Sequence, residues 1–172
     1  ASARLALLLA DMVLCDTWEH GDFYSTEFGV PRRKLCRVPV GAGTLAFQLG
    51  DRRATRPRTG PLDVVYVGGY LPLHGMPTIL DAATEIEDRH GTRLASFTLI
   101  GGGMLKPWVE REVAARGLRT VRLLPRMSYA DALGHLARAD LSLGIFGTSA
   151  KAGRVSLEGI VELALLNSRE YQ

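Results

Sequence analysis

The chain has 172 residues, 21 basic against 18 acidic side chains for a net charge of +3, and 47% hydrophobic residues. That length predicts one domain, or one domain and part of another, with a core of ordinary size. The charge is too small to argue for nucleic acid, and no apolar run approaches the roughly 20 residues needed to cross a bilayer.

In chain order, Leu5 to Ala10 reads as the end of a buried helix. Met12 to Cys15 is a strand candidate, Trp18 to Phe28 a helix, and Leu35 to Val40 another extended piece. Cys15 and Cys36 show no C-x-x-C spacing and no clustered His, which favours two idle thiols in a reducing cytosol over a metal site or a disulfide. No basic n-region precedes a small-residue cleavage site, so nothing indicates secretion. A segment break falls in 50–61, where Arg52, Arg53, Arg56 and Arg58 alternate with Thr, Pro and Gly; a solvated linker is the plainer reading than an anionic-lipid or phosphate patch.

Beyond the break a strand–helix pattern repeats. Val64 to Val67 is a β-branched strand stopped by Gly68 and Gly69. A helix over 77–90 carries Ile79, Leu80, Ala83 and Ile86 on one stripe. Phe97 to Ile100 is a strand stopped by Gly101, Gly102 and Gly103, and a helix follows over 106–116. Val121 to Leu124 is the third strand of this part, and Ser128 with Asp131 forms a capping-box signature opening a helix to about Ala139. Leu141 to Ile145 is a fourth strand, 147–153 a loop, and 157–167 a last helix. Short apolar strands alternating with helices predict the α/β class: a Rossmann-like open parallel sheet with helices on both faces.

Ligands of such sheets bind outside the carboxyl ends of the strands. The glycine clusters at 68–69 and 101–103 stand there, where they let the backbone approach a phosphate ahead of a helix N-terminus. A plain tight turn accounts for either cluster alone; two after successive strands point to a nucleotide site. Lys106 stands where the third glycine of G-x-G-x-x-G belongs, and no G-K-S/T follows a glycine loop, so a nucleotide-binding oxidoreductase or an ATPase loses ground.

The stretch Asp63 to Gly75, DVVYVGGYLPLHG, resembles the opening of the donor-binding domain in bacterial glycosyltransferases of family 4. Ile79 to Ala83, Phe97 to Gly103 and Ala137 to Gly147 continue the likeness in order, as do Lys151, Ala152, Arg154 and Val155. Upstream, Asp16 and Thr17 through Gly29 to Gly41 are similar to the inter-domain passage of these enzymes. The resemblance implies the two-domain GT-B plan, with 1–49 as the end of the acceptor domain and the inter-domain segment, 50–61 as linker, and 62–172 as an incomplete donor domain.

It implies, further, a sugar transferred from a nucleotide-sugar donor to a glycan or lipid-linked acceptor, as in cell-surface polysaccharide or glycolipid assembly. No metal or other cofactor is expected, because positive loops and helix dipoles take over a cation's role. Gly68, Gly69 and His74 would line the diphosphate, His74 reading otherwise as a turn residue exposed to water. Gly101, Gly102 and Gly103 would lie against the nucleotide, and Arg126 and Met127 would border the base. Lys151 and Arg154 would offset diphosphate charge, unless they are solvated surface charges. Glu162 falls where the family carries a ribose-binding carboxylate, although Leu157, Glu158 and Gly159 replace the family's P-N-K and Arg154 replaces its partner glutamate. The match decays after Val155, and catalytic residues are not assignable. The alternative is a non-catalytic or decayed Rossmann-like module without turnover. The expected location is cytoplasmic, with peripheral contact at the inner face of the membrane, and a sheet cut short is expected to self-associate through its exposed edge.

Overall fold

The computed structural model describes residues 2–41, 43–50, 60–149 and 152. The first part contains α1 (Ser2–Leu9), β1 (Val13–Cys15), α2 (Trp18–Phe28) and β2 (Leu35–Arg37), the two strands pairing in parallel from Val13↔Leu35 to Cys15↔Arg37. Local chemistry sets both ends of α2. The Thr17 hydroxyl accepts from the His20 N–H at 3.2 Å, and Gly29 closes the helix at φ 73° with its N–H on the Ser25 carbonyl at 3.1 Å. Lys34 fastens the end of α1, donating to the Leu8 and Ala10 carbonyls at 2.9 and 2.8 Å.

The expectation of a buried helix at 5–10 is not met. Leu5 and Leu9 of α1 are 59% and 73% exposed. Apolar residues run right round this helix, and α2 beside it covers only part of that circumference.

The second part contains α3 (Thr44–Gly50), β3 (Leu62–Gly69), α4 (Met76–His90), β4 (Ala95–Gly102), α5 (Lys106–Ala115), β5 (Val121–Leu124), α6 (Tyr129–Leu136) and β6 (Leu141–Ser142). The four strands form one parallel sheet in the order β5-β4-β3-β6. Alternation along each strand sorts the side chains to two faces. Val64, Tyr66, Phe97 and Leu99 meet Met76, Ile79, Leu80 and Ala83 of α4 and Val109 of α5. On the opposite face Val65 and Ile100 meet Ala46 of α3 and Leu133 and Leu136 of α6. Leu80 and Leu133 are both fully buried, each worth about 2–3 kcal/mol of transfer free energy. The fold is the parallel sheet with helices on both faces that the sequence predicts.

Several boundaries differ from expectation: β2 stops at Arg37 and α6 at Leu136, short of the expected 40 and 139. Gly68–Gly69 and Gly101–Gly102 do not stop their strands; they pair with each other as the last rungs of the β3–β4 ladder. β6 is shorter than 141–145. Its ladder on β3 ends with the Leu143 N–H on the Val65 carbonyl at 2.8 Å, after which the chain turns to pack on the Pro72–Gly75 turn. Nothing local marks α3, whose Ala46 is fully buried against the four-stranded sheet, so packing on that sheet begins before the segment break expected at 50–61. Residues 51–59 and the last helix expected at 157–167 lie outside the described residues. Cys15 and Cys36 are both free thiols.

Candidate functional site

The strand order reverses direction between β3 and β6: the chain runs from β3 through β4 to β5 and then returns to the other side of β3. A crevice at the carboxyl ends of the strands beside such a reversal is the general ligand position of open α/β sheets. A cleft of about 310 Å³ lies at the ends of β3 and β4 on the α6 face, lined by Val67, Gly68, Gly69, Ile100, Gly101, Arg126, Met127 and Ala132.

The glycines make that floor bare. Gly101 has φ 143°, and a Cβ there would stand 1.9 Å from the Gly68 carbonyl oxygen. No L side chain fits, so β3 and β4 close on each other through backbone alone. Two apolar side chains, Val67 and Ile100, and the half-buried Met127 supply the cleft's flat walls. Arg126 is exposed and has no hydrogen-bond or ion-pair partner among the described residues, while no carboxylate lines the cleft. A bare backbone floor, apolar walls and one uncompensated guanidinium suit a flat, anionic ligand.

Across the sheet end a second construction stands on the α4 face. The Tyr66 hydroxyl donates to the Gly69 carbonyl at 2.8 Å and lies 2.5 Å from His74 Nδ1, so the ring of His74 is held on Tyr66 and does not line the cleft. Burial pushes the Tyr66 and Tyr70 phenols up, Tyr70 to about 12, so both remain neutral donors; Tyr70 donates to the Leu99 carbonyl at 2.9 Å. The His74 turn is locked against the loop that follows β6. Gly75 sits in the left-handed region at φ 70°, and a Cβ there would be 2.4 Å from the Phe146 carbonyl carbon. The Phe146 N–H reaches the His74 carbonyl at 3.3 Å.

Of the residues singled out in the sequence, the cleft unites Gly68, Gly69, Gly101, Arg126 and Met127. Gly102 and Gly103 lie just beyond it, Gly102 accepting the Tyr70 N–H at 2.9 Å and Gly103 standing against the Tyr70 backbone with φ 144°. Lys151, Arg154 and Glu162 lie outside the described residues. Sequence reasoning missed Tyr66 and the wall residues Val67, Ile100 and Ala132. Only strand alternation could have separated Tyr66 from Val67, since it assigns them to opposite faces. Among the described residues no group of three His, Cys, Asp or Glu side chains is placed to hold a metal, and no helix is long and apolar enough to cross a membrane.

No family model matches the chain. A D-inositol 3-phosphate glycosyltransferase from Acidothermus cellulolyticus is 30% identical over 95 residues, which are 53% of this chain and 21% of that protein. WaaG, a glycosyltransferase involved in lipopolysaccharide biosynthesis, superposes with a TM-score of 0.63 at 11% identity over 89% of this chain and 41% of its own. The pneumococcal O-GlcNAc transferase GtfA, solved with UDP and GlcNAc, gives 0.57 at 11% identity over 77% of this chain and 25% of its own. The chain therefore has the Rossmann-like fold of glycosyltransferases and is similar to one of them in sequence, spanning about a fifth of that curated relative and between a quarter and two fifths of the solved enzymes.

Proposed function

We propose that this chain carries the nucleotide-sugar-binding part of a glycosyltransferase that passes a sugar to a polysaccharide or glycolipid acceptor. The observation that carries the reading is the cleft: a side-chain-free glycine floor at the carboxyl ends of β3 and β4, faced by the unpaired Arg126. Support comes from the likeness to glycosyltransferases, one of them solved with UDP.

In this reading the Gly68, Gly69 and Gly101 to Gly103 backbones approach the nucleotide diphosphate, with the N-terminus of α5 directed to the same end of the sheet. Val67, Ile100 and Met127 give the base a flat apolar surface, and Arg126 borders it. As the family resemblance implies, His74 approaches the diphosphate from the turn beside the cleft, Lys151 and Arg154 add positive charge as it departs, and Glu162 holds the ribose hydroxyls. These cations and dipoles offset the leaving-group charge without a bound metal. The acceptor is a glycan or lipid-linked sugar met at the inner face of the membrane, and the exposed sheet edge favours self-association.

The test is calorimetric titration of the whole chain with UDP, GDP and ADP. One nucleoside diphosphate is expected to bind with a dissociation constant below about 1 mM, that is by more than about 4 kcal/mol. If none binds at millimolar concentration, and Arg126→Ala and His74→Ala behave as the parent does, the assignment of this cleft is wrong.

A further inference from the structure

The two sides of the cleft are held by different means. Gly68, Gly69 and Gly101 are fixed by the β3–β4 ladder, which pairs Gly68 with Gly101 and Gly69 with Gly102. Met127 and Ala132 belong to no ladder: the first stands in the link between β5 and α6, the second on α6 itself. The seat of α6 on the sheet therefore decides where this side of the cleft stands. The Ser128 cap starts α6 as a helix, but a cap acting within one turn does not say where the eight helical residues lie on a sheet.

That placement comes from α3, far upstream. Its Ala46 is fully buried in one cluster with Leu133 and Leu136 of α6 and with Val65 and Ile100 of the sheet. Ile100 is shared with the cleft, and Leu133 directly follows the cleft residue Ala132. The start of α6 is touched as well. A Cβ on Gly43, the residue before α3, would stand 2.7 Å from the Tyr129 hydroxyl oxygen, so the ring of the first α6 residue lies over that glycine. Among the described residues, those lining the cleft include none from α3. Residues 38–43 alone separate α3 from β2, so this segment hangs on the first part of the chain.

We infer that Ala46 and Gly43 are positioning residues for the cleft: α3, docked through them, sets the place of α6 and thereby of Met127 and Ala132. The affinity of the cleft for a nucleotide is thus tied to a segment that belongs with the first part of the chain. Close packing leaves little slack in this tie. A larger side chain at 46 has to displace α6 or the sheet, because protein interiors hold few voids that could take it. The tie is reciprocal: a ligand that fits only the docked arrangement holds α3 in place, and a pull on 38–43 weakens the ligand. The nucleotide in this inference rests on the proposed function; the dependence of Met127 on α3 does not.

The experiment uses the whole chain and the variants Ala46→Leu, Gly43→Ala, and Ala46→Leu combined with Leu133→Ala, which keeps the summed side-chain volume. The methyl resonance of Met127, assigned by its loss in Met127→Leu, is read without ligand. It is expected to shift in both single variants and to return toward the parent position in the combined one. UDP is then titrated calorimetrically well below the melting temperature of each protein, where a mere loss of stability leaves the affinity unchanged. Affinity is expected to fall about tenfold in Ala46→Leu, by less in Gly43→Ala, and to recover in the combined variant. An unmoved Met127 resonance overturns the inference, whatever UDP does. Equal UDP affinity in the parent and both single variants also overturns it and leaves the cleft assignment standing. Absence of UDP binding to the parent, alongside a responsive Met127, instead removes the nucleotide reading and the affinity linkage with it. Gly43→Ala keeps the test decisive if Ala46→Leu does not fold, since only the partly exposed Tyr129 ring has to yield to it.

Discussion

Replacement of Glu87 by glutamine tests how the sheet that presents the cleft is held together. Glu87, near the end of α4, reaches across to the residues leading into β5. Its carboxylate accepts from the Arg119 and Thr120 N–H groups at 3.0 Å each, from the Thr120 hydroxyl at 2.8 Å and from Arg119 Nε at 3.1 Å. Burial by itself raises its pKa, since the side chain is 10% exposed, but the bonds from Thr120 and Arg119 outweigh burial and hold it at about 2 against an ordinary 4.5. A depression of that size corresponds to about 3 kcal/mol. Arg119 is itself 74% exposed, so screening at the rim of the sheet reduces the expected contribution to about 2 kcal/mol.

The folded pKa is depressed, so this stability is fully present above 4.5 and is lost as pH falls from 4.5 toward 2. In Glu87→Gln the amide keeps the length but turns an NH2 group toward backbone donors. Urea unfolding at pH 7 should show the variant about 2 kcal/mol less stable than the parent, with the difference shrinking between pH 4.5 and 2. Asp16, whose hydrogen bond from His20 lowers its pKa, contributes to the acid limb of both proteins and cancels in the comparison. A difference under about 0.5 kcal/mol at pH 7, the size of an ordinary surface substitution, would refute the reasoning, as would equal slopes for the two proteins between pH 4.5 and 2.

Gly101→Ala should lower stability by more than about 2 kcal/mol, because its Cβ would fall 1.9 Å from the Gly68 carbonyl oxygen; a melting temperature within about 2 °C of the parent would contradict it. Ser128→Ala removes the cap on α6, where the hydroxyl accepts the Asp131 N–H at 3.2 Å, and should cost about 1 kcal/mol in chemical denaturation. Arg126→Ala should change stability by less than about 0.5 kcal/mol, since the side chain is exposed and unpaired. It should nonetheless weaken UDP binding by about tenfold, an effect that added salt reduces; unchanged affinity at low salt would remove Arg126 from the site.

Local signals carried most of the fold. The helix at 18–28 is readable because Thr17 and Gly29 act within a few residues, and α4 and β4 because their apolar spacing matches one period throughout. What escaped depends on distant partners. The α3 helix is a seven-residue segment whose reason for being helical is the burial of Ala46 against Leu133 and Val65. Glycine reads locally as a strand stop, yet Gly68 and Gly69 stay in the ladder because Gly101 and Gly102 face them across it. At the site, the glycine floor, Arg126 and Met127 were legible from strand ends and from family likeness. His74 was also singled out, but its tie to Tyr66 was not, because a contact between a strand residue and the turn eight positions later follows no periodicity.

The return of β6 to the far side of β3 also sets an order of events. β3 and β4 can meet through one helical connection, and β5 through the next. β6 has to wait for all of these, since the hydrogen bonds leading into it, between Asp140 and Asp63, span 77 residues. Closing so long a loop is entropically the most demanding step, and two residues of strand give it little in return. The last rung to form is also the first expected to open, at the point where the loop after β6 leans on the His74 turn. Folding therefore completes on the side of β3 opposite β4, and the sheet is expected to open first from that edge.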